Sequence, residues 1–600
     1  MSTDWTPNFG ELGASAPTWN AKRPMRIAVL GDFSGGAMAG RLETGVELAG
    51  RKPLKVEFDT LEDAIARLKL SLSLPLGKDG APVDVELSEL ESFHPDQLYA
   101  NVEVFAALAS LRKKLNNTST FAAAAASMKG WEKDGKAEHS RKRKQARGAA
   151  PSGGSTLDDF ARLTGRPSTR TAQTSVDAMV RSIVAPFIVP AVAPNKDALV
   201  TSIDKALSDA MRGVLHEPDF QNIESLWRGV DFLLRRIETS HQLQVHLIDI
   251  TAEEFAADLS SADDLGDSGL YKLLVEKPAE ESDGGYSYIA GCFHFEATPP
   301  HAELLGRMAR VCAHAGSPFI TAVEPDDFTN PRDPPHALVR EAFAALKAMP
   351  QASYLALMAP RFLLRHPYGK KSDPISSFAF EEFTASTGLG GMLWGHPALL
   401  ALCVLATPKG QLAIGDLPFH HFVDADGDSV ALPCTERLLG TEAAALLRDY
   451  GINAVMAHKG EPIVRLAGLM AANDDGLVGA TAAPRKAGYD SRVGIGTAKG
   501  AKIDWTPTQR NGGTAAVTAP AHALDEDQES VEQETAVDEA PDSTESSDTA
   551  ADAGMSDDEL AKLLASFDSP PAEGASEDAA AAGEEPEMDE GLKKLLASLG

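Results

Sequence analysis

Catalysis and metal binding need particular side chains at fixed spacings, and this 600-residue chain offers few candidates. Met25–Leu30 is an apolar run that feeds Gly31-Asp32-Phe33-Ser34-Gly35-Gly36, a strand followed by a glycine-rich turn. A phosphate-binding loop needs G-x-x-x-x-G-K-[ST], and a dinucleotide turn needs G-x-G-x-x-G before a helix. Neither pattern is present, and Ser34 lies outside the G-x-S-x-G of a nucleophile elbow. The segment reads as a tight turn. His94 has no partner group nearby in sequence and reads as a structural histidine beside a helix start. The run Asp424-Ala425-Asp426-Gly427-Asp428 carries calcium-like acids, but an EF-hand loop needs Gly at its sixth position and Glu at its twelfth. Here those positions hold Ser429 and Thr435, so a hairpin turn at Asp426-Gly427 is the better account. His420 and His421 are adjacent and point to opposite faces of such a strand, which makes them poor joint metal ligands. Cys292, Cys312, Cys403 and Cys434 match neither a metal spacing nor a disulfide framework. Buried free thiols are expected. No nucleophile–base–orienter set stands out. We expect no catalytic, cofactor-binding or metal-ligating residues.

The elements that would position any site are clearer. In Leu215–Gly229, LHEPDFQNIESLWRG, Pro218 suits the first turn of a helix. Phe220, Ile223, Trp227, Val230, Leu234 and Ile237 then recur at steps of three and four, one apolar stripe that faces a core. Glu224 and Arg228 are four apart and can pair at a few tenths of a kcal/mol, about the usual value for that spacing. Thr60-Leu61-Glu62-Asp63 predicts a capping box opening a helix through Leu68. Val83–Leu87 predicts a strand, and one helical stretch is expected from His94 to about Leu115. Asp158–Leu163 predicts a short amphipathic helix, and Ala198–Val214 a longer one. Leu243–Ile250 alternates as a strand, and Thr251 with Glu254 caps the next helix. Tyr286–Phe295, His301–Ala315 and Pro318–Val323 read as strand, helix and strand, which favours parallel pairing. Leu338–Ala348 and Tyr354–Met358 continue the alternation. The fold class is α/β: a mixed body with a smaller α/β N-terminal domain and a disordered acidic C-terminal tail.

Length argues for two or more folded units. Net charge is −31, and residues 521–600 hold 24 Asp and Glu against three Lys. The acidity is therefore a property of the tail, and repulsion of nucleic acid is expected. No apolar run is long enough to cross a bilayer, so membrane insertion is not expected, and the first residues lack signal-peptide character. Residues 1–24 read as a flexible arm and 25–115 as the smaller domain. Residues 116–155 read as a linker, with a basic cluster from Lys129 to Arg147. The larger domain runs over 156–490, followed by a disordered acidic linker at 491–554. Within 555–600 one amphipathic word occurs twice, Leu560-Ala-Lys-Leu563-Leu564-Ala-Ser-Phe567 and Leu592-Lys-Lys-Leu595-Leu596-Ala-Ser-Leu599. Each copy is too short to hold a helix alone in water. The pair reads as two docking peptides that fold in a partner's groove, the partner being unknown. Asp-Trp-Thr-Pro also occurs twice, at 4–7 and 504–507, and the sequence gives no account of it.

Many separate words in this chain, in order, resemble the paired sheath proteins of the bacterial type VI secretion system. MRIAVLGDFSG, KPLKVEFDTLEDAIARL and VDVELSELESFHPDQL, within 25–115, resemble the small subunit (TssB, VipA). LHEPDFQNIESLWRGVDFLL, YIAGCFHFE, MARVCAHAGSPFITAV, MAPRFLLRHPYG, FAFEEF, LWGHPALLA and GDLPFHHF, within 198–470, resemble the large subunit (TssC, VipB). So does DGDSVALPCTERLLGTEAAALLRDYGINAVMAHKG.

The resemblance implies a non-enzymatic, cytoplasmic bacterial protein. It implies self-association or association with other sheath subunits, an inner tube protein, a baseplate, and an AAA+ ATPase that recycles contracted sheath. It also implies neighbouring subunits knitted by strands donated between them. For a helix that such an ATPase recognises, the nearest counterparts are Asp158–Leu163 and Val176–Val184. This chain departs from the family in two ways. The two subunits are fused, which raises the local concentration of each half for the other. The usual C-terminal portion of the large subunit is not recognisable past about residue 470–490. An alternative expectation follows: a sheath-related adaptor, cap or assembly regulator that recruits a partner through its tail repeats.

Overall fold

Apart from Arg26, Met25–Gly31 is apolar, as suits a strand covered on both faces, and all seven of its residues are buried. A computed structural model describes residues 6–20, 23–76, 81–128, 176–188, 196–282, 284–407, 411–423, 427–458 and 460–479. These all fall in the unit Met1–Gly512. The strands in chain order are β1 (Met25–Gly31), β2 (Leu54–Val56), β3 (Leu70–Leu76), β4 (Ala81–Leu87) and β5 (Leu243–Asp249). Then come β6 (Tyr288–Phe295), β7 (Phe319–Val323), β8 (Leu355–Ala359), β9 (Phe362–Leu363) and β10 (Trp394–Gly395). The last are β11 (Ala413–Ile414), β12 (His421–Val423), β13 (Ser429–Ala431), β14 (Ile452–Ala457) and β15 (Val464–Leu466).

Nine of these form one mixed sheet in the order β11-β15-β14-β8-β7-β6-β1-β5-β2. The run from β14 through β5 is parallel, and β2, β15 and β11 pair antiparallel at the two ends. β1 lies between β5 and β6, with Ile27 opposite Val245 on one side and Tyr288 on the other. The N-terminal segment therefore contributes a central strand to the sheet that the larger segment builds.

Alternation along β1 divides it between two cores. Met25, Ile27 and Val29 join the face covered by the Lys196–Leu215, Pro218–Arg236 and Pro397–Ala406 helices, while Ala28 and Leu30 join the other. That second face is covered by the Ala252–Ser261, Pro299–Ala315, Ala337–Ala348 and Thr441–Asp449 helices. Pro397–Ala406, PALLALCVLA, is apolar all round, and all ten of its residues are buried. A helix of that composition belongs inside a core.

The mixed α/β class and the strand–helix–strand alternation agree with the sequence. Thr251 and Glu254 form the expected reciprocal cap. His94 is a helix cap whose Nδ1 accepts from the Asp96 N–H. β12 and β13 form the expected hairpin, with Gly427 at φ +92°.

Four expectations are corrected. Residues 6–20, read as part of a flexible arm, lie against the larger segment. The Asn8 N–H donates to Glu303, Trp19 Nε1 donates to the His314 carbonyl, and Phe9 packs where a side chain on Gly306 would sit. Phe9, Leu12 and Trp19 are apolar anchors spaced too irregularly to read as an element. Thr60 does not cap the Leu61–Leu68 helix; its hydroxyl accepts from the Glu57 N–H in the 3-10 turn just before it. The stretch from His94 is two helices, Pro95–Asn101 and Glu103–Asn116, because Val102 takes an extended conformation between them. The alanine run, read as the start of a linker, forms the Thr118–Met128 helix, as the high helix propensity of alanine allows. β3 was not anticipated; it pairs antiparallel with β4 over seven residue pairs.

Candidate functional site

The sequence words that carry most information come together around Leu215–Gly229. Pro218–Arg236 is a helix with Pro218 in its first turn. Trp227 is fully buried, its Nε1 donates to the Phe33 carbonyl at 3.1 Å, and its ring meets Phe33 edge-on at 5.1 Å. The helix is thereby fixed to the turn that follows β1. Gly31 ends β1 against the tip of the Leu226 side chain, which would have to shift to admit a larger residue there.

Glu224 and Arg228 pair as expected, at 2.7 Å. The sequence did not reveal the rest of their network. Arg365 donates from Nε to Glu224 at 2.8 Å and from Nη1 to Glu382 at 2.7 Å, and all three are buried. Arg228 also reaches the Tyr368 hydroxyl, and the Tyr368 N–H donates to Glu382. Burial opposes charge on Arg365, but Glu224 and Glu382 outweigh it and hold its pKa well above the usual value. Burial likewise opposes the Glu382 charge; Arg365 and His216 outweigh it and bring the pKa down to about 2. The two acids and two arginines lie in LHEPDFQNIESLWRG, MAPRFLLRHPYG and FAFEEF, so the network binds three separated words of sequence.

A second polar cluster joins the N-terminal segment to the larger one at the C-terminal ends of β1 and β5. Asp32 accepts from the Gly36 and Ala37 N–H groups at 2.6 and 3.0 Å, which closes the turn. Ser34 donates from its N–H and its hydroxyl to Asp249 at the end of β5. Arg41 bonds Asp249 at 2.7 Å and Glu254 at 3.1 Å. Arg51 bonds Glu254, Glu43 and the Asp249 carbonyl. Burial pushes the Asp32 carboxyl up to about 6, helped by the nearby Asp249 charge. Sequence reasoning found the turn but not Arg41 or Arg51, since nothing in their local spacing marks them.

A third clasp lies at the start of the Pro95–Asn101 helix. The Asp96 carboxylate accepts from the backbone N–H groups and the hydroxyls of Ser376 and Ser377. Burial raises its pKa, but those donors prevail and lower it to about 2. Arg112 adds an ion pair with Asp204.

Among the described residues no group of three or more His, Cys, Asp and Glu could hold a metal ion. A small cavity beside β6, lined by polar groups of Gln221, Ser225, His294 and His396 and by apolar Leu226 and Trp394, has a volume of about 30 Å³. That is room for a water, not for a metabolite. Burial pushes the Cys292 thiol up to about 12, which disfavours its thiolate. His420 and His421 face different rings, Phe383 and Phe419. The tail positions Leu560, Leu563, Leu564, Phe567, Leu592, Leu595, Leu596 and Leu599 lie outside the described residues, as do Asp158–Leu163 and the basic cluster. Val176–Val184 is a helix packed against Glu103–Asn116.

Residues 197–472 match the family described as VipB, tail sheath N-terminal domain, and residues 18–130 match type VI secretion system VipA. The chain belongs to the type VI secretion sheath family and joins both of its subunit types. The sheath protein TssC1 of Pseudomonas aeruginosa is 30% identical over 329 residues, 49% of this chain and 66% of that protein. The chain thus spans just under two thirds of the length of this relative. The Asp32–Arg41–Asp249 cluster and the Asp96 clasp join the VipA-like segment to the VipB-like one. The Arg365 network lies wholly within the VipB-like sheath domain.

Proposed function

We propose that this protein is a non-enzymatic structural component of a type VI contractile sheath, a fused subunit that assembles around an inner tube. The observation that carries this is the interleaving of the two sheath-family segments. β5 of the VipB-like segment lies between β1 and β2 of the VipA-like segment, so the two form one structural unit. A fused pair delivers both halves in equal number to a growing polymer. The partners that follow from this function are other sheath subunits, the inner tube protein, a baseplate and an AAA+ recycling ATPase, all in the bacterial cytoplasm. The tail repeats at 560–567 and 592–599 would add a docking function on a partner groove. Among the described residues no helix is long and apolar enough to cross a membrane.

Electron microscopy of the purified chain, alone and with inner tube protein, tests the proposal. Rings or tubes with a hollow core are the expected result. A strictly monomeric protein under every such condition would overturn it.

A further inference from the structure

Residues 8–19 cross the surface of the larger segment as a strap that forms no helix of its own. Asn8 is held from two sides by one helix. Its N–H donates to Glu303 at 2.9 Å and its carbonyl accepts from Arg307 at 3.2 Å, both on Pro299–Ala315. Gly306 lies beside Arg307 on that helix, and the Phe9 ring occupies the place a side chain there would take. The Glu11 carbonyl accepts from the Leu265 N–H at 2.9 Å, and the Gly13 N–H donates to the Asp264 carboxylate at 3.2 Å. Trp19 lies over Gly285 and Gly316, both at positive φ, and donates to the His314 carbonyl at 3.1 Å.

This seat suits peptide backbone and two aromatic rings. Glu303 and Arg307 offer one peptide unit an acceptor and a donor. Asp264 and Leu265 take a second stretch, with Glu11 opposite Asp264 in a parallel bridge. Glycine at 285, 306 and 316 leaves the floor open for the rings, which are the usual anchors of such recognition. The grip is nevertheless light. Phe9, Leu12 and Trp19 are only half-buried and residues 13–16 between them are exposed, whereas all seven residues of β1 are buried. A segment with few buried apolar contacts opens at lower free energy than the core it lies on. The strap precedes β1, so its release leaves Met25–Gly31 in the sheet. Residues 8–17 also lie ahead of the span 18–130 that matches VipA, so the family match does not account for them.

We propose that this seat is a peptide-binding groove and that residues 8–19 are its own intramolecular ligand, a latch that opens while the sheet stays folded. The class of ligand follows from the seat. It is a non-helical peptide with Phe at one end and Trp ten positions on. Its middle must approach Asp264 closely, and a Cβ at Gly13 would meet that carboxylate at 2.8 Å. Gly10, at φ +69°, turns the backbone against Leu265. The chain meets all of these requirements itself, so the closed latch fills the groove. Opening it bares the glycine floor and the Asp264 carboxylate together.

Hydrogen exchange on the full-length protein tests the latch. Residues 6–20 are expected to exchange more slowly than a free peptide of that sequence and faster than residues 25–31. Gly306→Leu fills the seat of Phe9 and is expected to remove the protection of 6–20 while leaving that of 25–31 unchanged. Where Gly306→Leu does not fold, Phe9→Ala with Trp19→Ala empties the same groove from the strap side. Exchange of 6–20 at the free-peptide rate in the wild type overturns the proposal, as does loss of protection from both segments together in the folded variant. The groove itself is tested on full-length protein carrying Phe9→Ala and Trp19→Ala, with a fluorescein-labelled synthetic peptide of residues 6–20 as probe. Saturable binding is expected, at least about tenfold tighter than to the wild type, whose own latch competes at high effective concentration. Binding no tighter than that of the same peptide with both aromatic residues replaced by alanine overturns the proposal.

Discussion

Arg365 and Asp32 show how differently a charged side chain can be held in this protein. Arg365 sits between Glu224 and Glu382 with both carboxylates bonded, and its charge is secure because two anions face it. Removing one member of such a buried set leaves the others uncompensated, which is why the set acts as a unit. Asp32 faces Arg41 only at 3.8 Å, and burial together with Asp249 leaves its carboxyl up at about 6. A carboxyl with a raised folded pKa contributes stability that is complete below its unfolded value near 4 and is lost as pH rises through 6. The wild-type protein should therefore lose stability between pH 4 and pH 6 relative to Asp32→Asn, which keeps an oxygen for one turn N–H and has no proton to lose. Thermal midpoints of the two proteins across that range check this, and parallel profiles would refute it. Of these groups, only the Glu224–Arg228 pair was legible in sequence, because its partners are one helical turn apart. Arg365 lies 141 positions from Glu224, and no local spacing reports such a contact.

Elements were read well where one face or both faces of a segment are buried. The apolar period of Pro218–Arg236 predicted its helix, and the short, largely apolar run of Met25–Leu30 predicted β1. Boundaries failed where the deciding interaction was local but ambiguous. Thr60 was free to cap forward and instead accepts from Glu57 behind it. Val102 breaks a pattern that reads as one helix. Trp227 links two elements, filling the core beneath β1 and bonding the turn that follows it. Trp227→Ala should cost about 3–5 kcal/mol through the cavity it leaves. It should also leave the Phe33 carbonyl without its donor. Chemical denaturation read by far-UV circular dichroism checks the loss. A cost within about 0.5 kcal/mol, the range of ordinary surface substitutions, would contradict this account of the helix.

At the scale of the molecule, the fold ties together segments that the sequence presents as separate. β1 and β2 embrace β5, and residues 6–20 lie along the far face of the same sheet. The tail is a different matter. The core clusters of the described residues lie within 6–479, and the two tail repeats lie outside the described residues. Deleting 555–600 should leave the thermal midpoint of the body unchanged while abolishing capture of the partner that docks on the two repeats. Calorimetry and a pull-down with and without the tail are the two measurements. Unchanged partners in the pull-down would rule out a docking role for Leu560–Phe567 and Leu592–Leu599.

The sequence by itself determined the α/β alternation, the helix of Leu215–Gly229, the acidic tail and, through its ordered words, the sheath family. These follow from periodicity, composition and residue identity, all of which are local along the chain. Only the tertiary structure decided that β1 is a central strand between β5 and β6. Only there do Arg41, Arg51 and Asp96 clasp residues more than 190 positions away. A buried parallel strand reads the same whichever neighbours it takes, because its pattern reports that both faces are covered and not by what.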